Sequence, residues 1–160
     1  MHATGGRAWA GLAGFVLVTF AVSAIGGAVT ATSVGTWYQT LARPSFNPPD
    51  WVFAPVWTTL YALMAFAAWR VWRRAGFAQA RAALSLYVVQ LALNLGWSVL
   101  FFGLRRPDYA LAEIVVLWLA IAATWLAFRR IDGPAAWLLT PYLAWVSFAA
   151  VLNGAVVALN

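Results

Sequence analysis

Five long stretches of apolar residues, almost free of charge, divide this sequence. A bilayer core about 30 Å thick needs about 20 apolar residues for one helical crossing, and each stretch reaches that length. They lack the alternation of polar and apolar residues that a membrane β-barrel strand shows. The sequence therefore predicts an all-α integral membrane protein: one domain over residues 1–160, built as a five-transmembrane-helix bundle. The predicted spans are 8–31, 51–69, 82–104, 109–128 and 134–159.

The composition excludes most soluble enzymes. Hydrophobic residues make up 64% of the chain and charged residues 9%, whereas a soluble domain carries about 25% charged residues. Cys and Lys are absent, and the single His is His2, so thiolate and imidazole chemistry inside the fold is excluded. We expect no metal site and no required cofactor.

The charge is strongly positive. A net charge of +6 and an isoelectric point near 10.8 are typical of nucleic-acid-binding proteins. In a membrane protein the same charge indicates loops that face anionic lipid. We therefore expect the lipid bilayer, and no nucleic acid, as a partner.

The arginines predict an orientation, because cytoplasmic loops carry the excess of basic residues. The N-terminus and the second and fourth loops hold seven arginines, and the first and third loops hold three. The prediction is an N-terminus inside and a C-terminus outside. The first span has 24 residues, longer than the apolar core of a signal peptide at about 7–15 residues, and we expect it to be retained. The seven are Arg7, Arg70, Arg73, Arg74, Arg81, Arg129 and Arg130, and the three are Arg43, Arg105 and Arg106.

The connection between the first and second spans is unusually long. Loops longer than about 12–15 residues in a compact fold are usually functional. This one, between Thr32 and Asp50, carries Trp37, Tyr38 and three prolines. We predict a lid over the outer mouth of the bundle.

Eleven tryptophans are the second distinctive feature. Those near span ends are expected in the interfacial aromatic belt, and those deeper need an acceptor for the indole N–H that lipid does not offer. The deeper group is a candidate for an internal site. The belt group is Trp9, Trp51, Trp69, Trp72 and Trp137, and the deeper group is Trp57, Trp97, Trp118 and Trp145.

Three helices each carry an aromatic stripe at helical spacing. Converging stripes with a few polar groups make a pocket for a flat, largely apolar ligand. The alternative is that they only hold helices together, as the small residues Ser23, Gly27 and Ala31 also would. The stripes are Tyr87, Gln90, Asn94, Trp97 and Phe101 on the third helix, Trp57, Tyr61 and Met64 on the second, and Tyr142, Trp145, Ala149 and Leu152 on the fifth.

Glu113 is the only carboxylate inside a predicted span. Such a group usually marks a proton or cation pathway. Pairing with Arg105 or Arg106, on the same side of the membrane, is the structural alternative.

Three ordered blocks resemble one family. The stretch 43–61, RPSFNPPDWVFAPVWTTLY, follows Trp37-Tyr38 and resembles the signature of the TspO/MBR family, the tryptophan-rich sensory proteins of bacteria and the mitochondrial translocator protein, or peripheral benzodiazepine receptor. QLALN at 90–94 and PYLAW at 141–145 are similar to its third and fifth helices.

The resemblance implies a homodimer in a membrane, here expected to be a bacterial cell membrane, and a pocket that binds protoporphyrin, haem and synthetic drug-like ligands. Trp57 and Trp145 correspond to two tryptophans with which some bacterial members degrade protoporphyrin in light. Together with the stripes, it predicts ligand-binding residues Trp37, Tyr38, Pro48, Trp57, Tyr61, Gln90, Asn94, Trp97, Tyr142, Trp145, Ala149 and Leu152.

The chain also departs from the family pattern. Phe46 and Tyr109 stand where the family often has tryptophan, and no arginine follows Arg130. The cholesterol-recognition segment of animal members, a Tyr followed by a basic residue at the end of the fifth helix, is therefore missing, and cholesterol transport has no support.

Four functions are compatible with these observations. The first is a receptor or sensor that binds porphyrins and regulates tetrapyrrole handling. The others are a transporter of tetrapyrroles or amphiphiles, a light-dependent porphyrin-degrading enzyme that uses Trp57 and Trp145, and a structural protein whose aromatic residues only pack. We favour the sensor over the enzyme.

Overall fold

The computed structural model describes residues 5–160, which form a bundle of five long helices. Each helix is long and apolar enough to cross a membrane, so the predicted all-α fold is confirmed. The helices are α1 (Gly6–Ala31), α2 (Phe53–Gln79), α3 (Arg81–Ser98), α4 (Pro107–Ile131) and α5 (Gly133–Leu159).

The last three connections are short. Ala80 alone joins α2 to α3, and Asp132 alone joins α4 to α5. A π-helical turn, Val99–Gly103, continues α3, and the chain then enters α4 at Pro107. Proline suits the first turn of a helix because its missing N–H would have no partner there.

The second helix continues ten residues beyond the predicted end of the second span at residue 69. α2 continues to Gln79, so Arg70, Arg73 and Arg74 lie on a helix and not in a loop. The helical backbone is interrupted at Gly76, whose φ of 74° is one that residues with a Cβ rarely adopt. The end of the apolar composition therefore did not mark the end of the helix.

This extension changes the role of two tryptophans predicted to lie in the aromatic belt. Trp69 and Trp72 are only 5% and 6% exposed, because the continued helix packs them against α1. The Trp69 indole Nε1 donates to the Ala8 carbonyl (2.7 Å). Trp9, Trp51 and Trp137 are exposed, as expected of a belt.

α2 lies at the centre of the bundle and packs against all four other helices. Its inner turns carry small residues that are fully buried, Ala65, Ala67 and Ala68, so neighbouring helices approach closely. α4 packs along α3 and α5, and α1 packs along α2 and α3. A cavity lies between the end of α1, the start of α2, the end of α3 and the second half of α5.

Candidate ligand-binding cavity

A cavity of about 410 Å³ lies between α1, α2, α3 and α5, beneath the long first loop. Eight of the predicted ligand-binding residues line it. Their ligand contacts remain a prediction, but the tertiary structure brings these side chains together from three helices and the loop. The eight are Tyr38, Trp57, Tyr61, Asn94, Trp97, Trp145, Ala149 and Leu152.

Aromatic rings form most of the wall. The Trp57 and Trp145 ring centroids are 6.4 Å apart with their planes nearly perpendicular, at 89°. Trp57 also lies 5.7 Å from the Tyr61 ring. Such contacts fix ring orientation because edge-to-face pairs are favoured. The result is a rigid apolar surface against which a flat ligand can stack.

A short chain of buried polar groups lies behind that wall. The Tyr61 hydroxyl donates to Asn94 Oδ1 (2.5 Å), and Asn94 Nδ2 donates to the Tyr142 hydroxyl (2.8 Å). The Tyr142 hydroxyl in turn donates to Gln90 Oε1 (2.7 Å). Gln90 and Tyr142, predicted to contact ligand, therefore do not line the cavity. They hold Asn94, which does.

The indole N–H groups divide the tryptophans into two sets. Within residues 5–160, four tryptophans donate to protein acceptors. Trp57 and Trp145 are not among them, so their N–H groups are available to a ligand. Trp97, by contrast, donates to Asn153 Oδ1 (3.0 Å) and has a fixed ring.

Trp118 was predicted to be part of an internal site, and the structure places it elsewhere. Its side chain is partly exposed on the outer surface of α4. The indole Nε1 donates to Ser147 Oγ (2.8 Å) on α5, which provides the acceptor that the lipid lacks. Trp118 therefore joins α4 to α5 and does not line the cavity.

The first loop covers one end of the cavity, consistent with the predicted lid. Tyr38 is 3% exposed, and its hydroxyl donates to Asn47 Oδ1 within the loop (2.8 Å). Burial raises the pKa of the Tyr38 phenol, which keeps this donor protonated. Trp37 does not line the cavity but packs edge-on against Phe101 (5.9 Å), and Pro48 also lies outside the lining.

This loop is anchored to the bundle near its start and near its middle. Ser33 Oγ donates to the Phe102 carbonyl (2.6 Å) near the π-helical turn. Asn160 Nδ2 donates to the Ala42 carbonyl (2.8 Å), and its Oδ1 accepts from the Ala42 N–H (3.1 Å). These bonds hold the loop across the mouth of the cavity.

Sequence reasoning missed the wall that α1 supplies. Ser23, Gly27 and Ala31 line the cavity, although their spacing was read as a helix contact. The small side chains leave space there in place of a close helix packing. The first span has no aromatic stripe that would have indicated a site.

Glu113 is not paired as the structural alternative required. Both carboxylate oxygens are buried without a hydrogen-bond partner in the described part of the chain. Arg106 instead binds Asp108 (2.6 Å), and Arg105 Nε donates to Ser33 Oγ (3.3 Å). Glu113 faces α3, where its Oε1 lies 3.5 Å from the point that a Cβ on Gly96 would occupy.

Clusters of acidic or imidazole side chains are absent from the described bundle. No group of three or more His, Asp or Glu side chains comes together within residues 5–160. The cavity offers indole, phenol and amide groups and one carboxylate at its edge, Asp50. It is suited to an organic ligand held by ring contacts and a few hydrogen bonds.

The fold and the cavity define a class: integral membrane proteins with five spanning helices and an aromatic cavity enclosed by the bundle. Residues 15–159 match the TspO/MBR family, and the chain belongs to that family.

Curated relatives agree. The chain is 44% identical over 144 residues to the tryptophan-rich protein TspO of Chlorobaculum tepidum, which covers 88% of this chain and 89% of the relative. It is 40% identical over 147 residues to the translocator protein of Bos taurus, which covers 91% of this chain and 87% of that protein. It is 46% identical over 124 residues to the tryptophan-rich sensory protein of Cereibacter sphaeroides, which covers 78% of this chain and 77% of that protein.

Proposed function

We propose that the cavity binds porphyrins, such as protoporphyrin and haem, and that the protein acts as a membrane receptor or sensor in tetrapyrrole handling. The observation that supports this is the set of aromatic rings on three cavity walls, with Trp57 and Trp145 in contact and their N–H groups free within the described chain. Protoporphyrin and haem have a flat, largely apolar ring and two carboxylates. The ring can stack on indole, and the carboxylates can accept hydrogen bonds from those N–H groups. The names of two relatives, sensory protein and translocator protein, fit a small-molecule role.

Recognition is proposed to occur through the macrocycle and not through iron. The sequence offers no His or Cys within the spans as an axial ligand. Metal-free protoporphyrin is therefore expected to bind about as tightly as haem. Strict dependence on iron, with a spectrum of strong axial ligation, would contradict this mode of binding.

A porphyrin titration followed by tryptophan fluorescence quenching tests binding. Trp145→Phe keeps an aromatic ring but removes the indole N–H, and since a hydrogen bond contributes about 0.5–1.5 kcal/mol, binding should weaken two- to tenfold. Ala149→Phe, which fills the cavity, should weaken it more. Trp137→Phe is the matched control, since Trp137 is exposed to lipid away from the cavity. Equal effects of Trp145→Phe and Trp137→Phe would show that the quenching arises outside the cavity.

Light-dependent porphyrin breakdown is the second candidate, and the Trp57–Trp145 contact favours it. Photochemical oxidation needs an oxidisable ring against the porphyrin, with dissolved dioxygen as the oxidant, and does not need an acid–base pair. Porphyrin absorbance should then fall under illumination in air but not under argon. Loss at the same rate in wild type, Trp57→Phe and Trp145→Phe would leave binding without catalysis.

Transport is a third candidate, favoured by Glu113, which lies within a span and has no hydrogen-bond partner among residues 5–160. A neutral replacement should alter a proton- or cation-linked step without altering the cavity. Purified protein in liposomes is then expected to release trapped porphyrin, and Glu113→Gln is expected to slow release at unchanged affinity. Release no faster than from protein-free liposomes would exclude this function.

We further propose that the protein is a homodimer in a bacterial cell membrane. The lipid-facing surface of α1 carries many small or aliphatic side chains, which allow close helix contact. Native mass spectrometry from detergent micelles should give twice the chain mass of 17.4 kDa.

A further inference from the structure

The net positive charge is concentrated at one end of the bundle. The Trp69–Ala8 hydrogen bond places the start of α1 beside the end of α2, so seven arginines and the single carboxylate of Asp132 share that end. The opposite end holds three arginines against Asp50 and Asp108. The first end therefore accounts for the net charge of +6 of the whole chain.

Several of these arginines already have protein partners. Arg70 and Arg74 bind Asp132, and Arg73 and Arg129 lie over the rings of Trp69 and Trp125. Arg81, the first residue of α3, has no carboxylate or aromatic partner among residues 5–160. Its guanidinium is available to an anion from outside the chain.

Arg81 stands at one end of a shallow surface groove. The groove follows the outer face of α3, because its residues there recur at helical spacing from Arg81. Phe77, at the end of α2, forms one side and is 64% exposed, directly after the break in the helix at Gly76. Apart from Arg81, the groove is lined by Phe77, Ala78, Leu84, Ser85, Val88 and Val89.

This arrangement has one cationic end and an apolar length along the membrane normal. From Arg81 to Val89 the helix rises about 12 Å, at about 1.5 Å per residue. The hydrocarbon of one leaflet is about 15 Å deep, so the groove is long enough to contact most of one acyl chain. Arg81 lies at the headgroup level if the apolar part of α3 lies in the hydrocarbon. Its planar guanidinium binds a phosphate through two parallel hydrogen bonds.

We propose that this groove binds an anionic phospholipid, with the lipid phosphate on Arg81 and one acyl chain along Phe77, Leu84, Val88 and Val89. Charge selects this occupant. Each arginine near an anionic leaflet contributes about 1 kcal/mol, and the surrounding cations favour a lipid that carries a net negative charge. A second copy of the chain packed two-fold on this face would set Arg81 and its neighbouring cations against their counterparts.

Native mass spectrometry of the protein released from micelles tests the proposal. With palmitoyl-oleoyl phosphatidylglycerol as the probe, one lipid is expected to remain bound, and the zwitterionic phosphatidylcholine with the same chains is expected to bind at least fivefold more weakly. Arg81→Gln should weaken phosphatidylglycerol binding about fivefold, the fold-change for one such contact. Arg130→Gln, which removes the same charge at the same end away from the groove, should have little effect.

A second variant tests the groove itself. Ser85→Phe fills it without a change of charge and should also displace the bound lipid. An excess of glycerol phosphate, which has the anionic headgroup without acyl chains, should not compete. The thermal midpoint of each variant in detergent shows whether it is folded.

Three results would overturn the proposal. Equal weakening by Arg81→Gln and Arg130→Gln would reduce the effect to diffuse attraction between the charged end and anionic lipid. Unchanged binding of phosphatidylglycerol to a folded Ser85→Phe variant would show that the acyl chain does not lie in the groove. Full displacement of phosphatidylglycerol by glycerol phosphate would show that the site binds the phosphate alone and not the acyl chain.

Discussion

Asn94 connects three helices with one side-chain amide. It lies on α3, accepts a hydrogen bond from Tyr61 of α2 and donates one to Tyr142 of α5. An interhelical hydrogen bond in a membrane protein contributes about 0.6–2 kcal/mol, and both partners of Asn94 are buried. The amide is thus a structural support for the cavity wall as well as part of its surface.

Replacing Asn94 with Leu is expected to lower the free energy of unfolding by about 1–3 kcal/mol, since the buried Tyr61 hydroxyl loses its acceptor and the Tyr142 hydroxyl loses one of its two partners. Titration with a denaturing detergent, followed by circular dichroism, measures this. Thr124→Val is the control, because its buried hydroxyl bonds only the Ala120 carbonyl of its own helix (2.7 Å). A loss no larger in Asn94→Leu than in Thr124→Val would mean that the network does not stabilise the bundle.

Asp132 joins α2 to the turn between α4 and α5. Its side chain is 2% exposed, and Arg70 Nε binds it at 2.7 Å whereas Arg74 Nη1 lies at 3.4 Å. Arg70→Gln is therefore expected to cost about 2–3 kcal/mol of unfolding free energy, because a buried carboxylate loses its main partner. The side chain of Arg74 is 62% exposed, so Arg74→Gln should lower the free energy of unfolding by less than ~1 kcal/mol. The same detergent titration compares the two, and equal losses would contradict the assigned geometry.

At the scale of the helices, the contact between α1 and α2 depends on Gly11. A Cβ at Gly11 would overlap the indole ring of Trp72, which is buried on the central helix. The absence of a side chain at Gly11 is what lets the extended part of α2 pack its indole against α1. This contact explains why Trp72 is buried and not in the aromatic belt.

Gly11→Ala is expected to destabilise the bundle by about 1–3 kcal/mol, the usual cost of overpacking. Gly14→Ala is a matched control on the same helix, since nothing lies within 4 Å of its Cβ position. Alanine favours helix over glycine by about 1 kcal/mol, so Gly14→Ala should be neutral or stabilising. Thermal midpoints in one detergent give the comparison. A stable Gly11→Ala variant would mean that α1 sits farther from α2.

At the scale of the whole molecule, the uneven distribution of arginine predicts how the bundle lies in its membrane. The end of α2, the start of α3 and the α4–α5 turn share one end with the start of α1. Basic residues are retained on the cytoplasmic side. That end, with Asp132, is therefore expected inside, and the long loop and the mouth of the cavity outside.

Fusions of a reporter that fluoresces only in the cytoplasm test this orientation. A fusion after residue 132 is expected to fluoresce, and a fusion after residue 160 is expected to be dark, with equal amounts of protein by immunoblot as the control. The reverse pattern would place the cavity mouth in the cytoplasm. It would also place the proposed lipid groove in the outer leaflet.

The sequence by itself determined the number of helices, their approximate positions and the family, because apolar length and the ordered RPSFNPPDW, QLALN and PYLAW blocks are local properties of the chain. It also identified eight of the residues that line the cavity, since aromatic residues at helical spacing must share a face. The tertiary structure alone decided which of those residues face the cavity. Gln90 and Tyr142 lie on the predicted stripes but are turned into the hydrogen-bond chain behind Asn94.

Other features depended on contacts between distant segments. α2 runs past Trp69 because Arg70 finds a buried partner in Asp132 and Trp72 finds space at Gly11, neither of which is near in sequence. Glu113 has no hydrogen-bond partner within residues 5–160, because Arg106 binds Asp108 and Arg105 binds Ser33. Periodicity shows which residues share a helix face, but the packing of helices decides what that face meets.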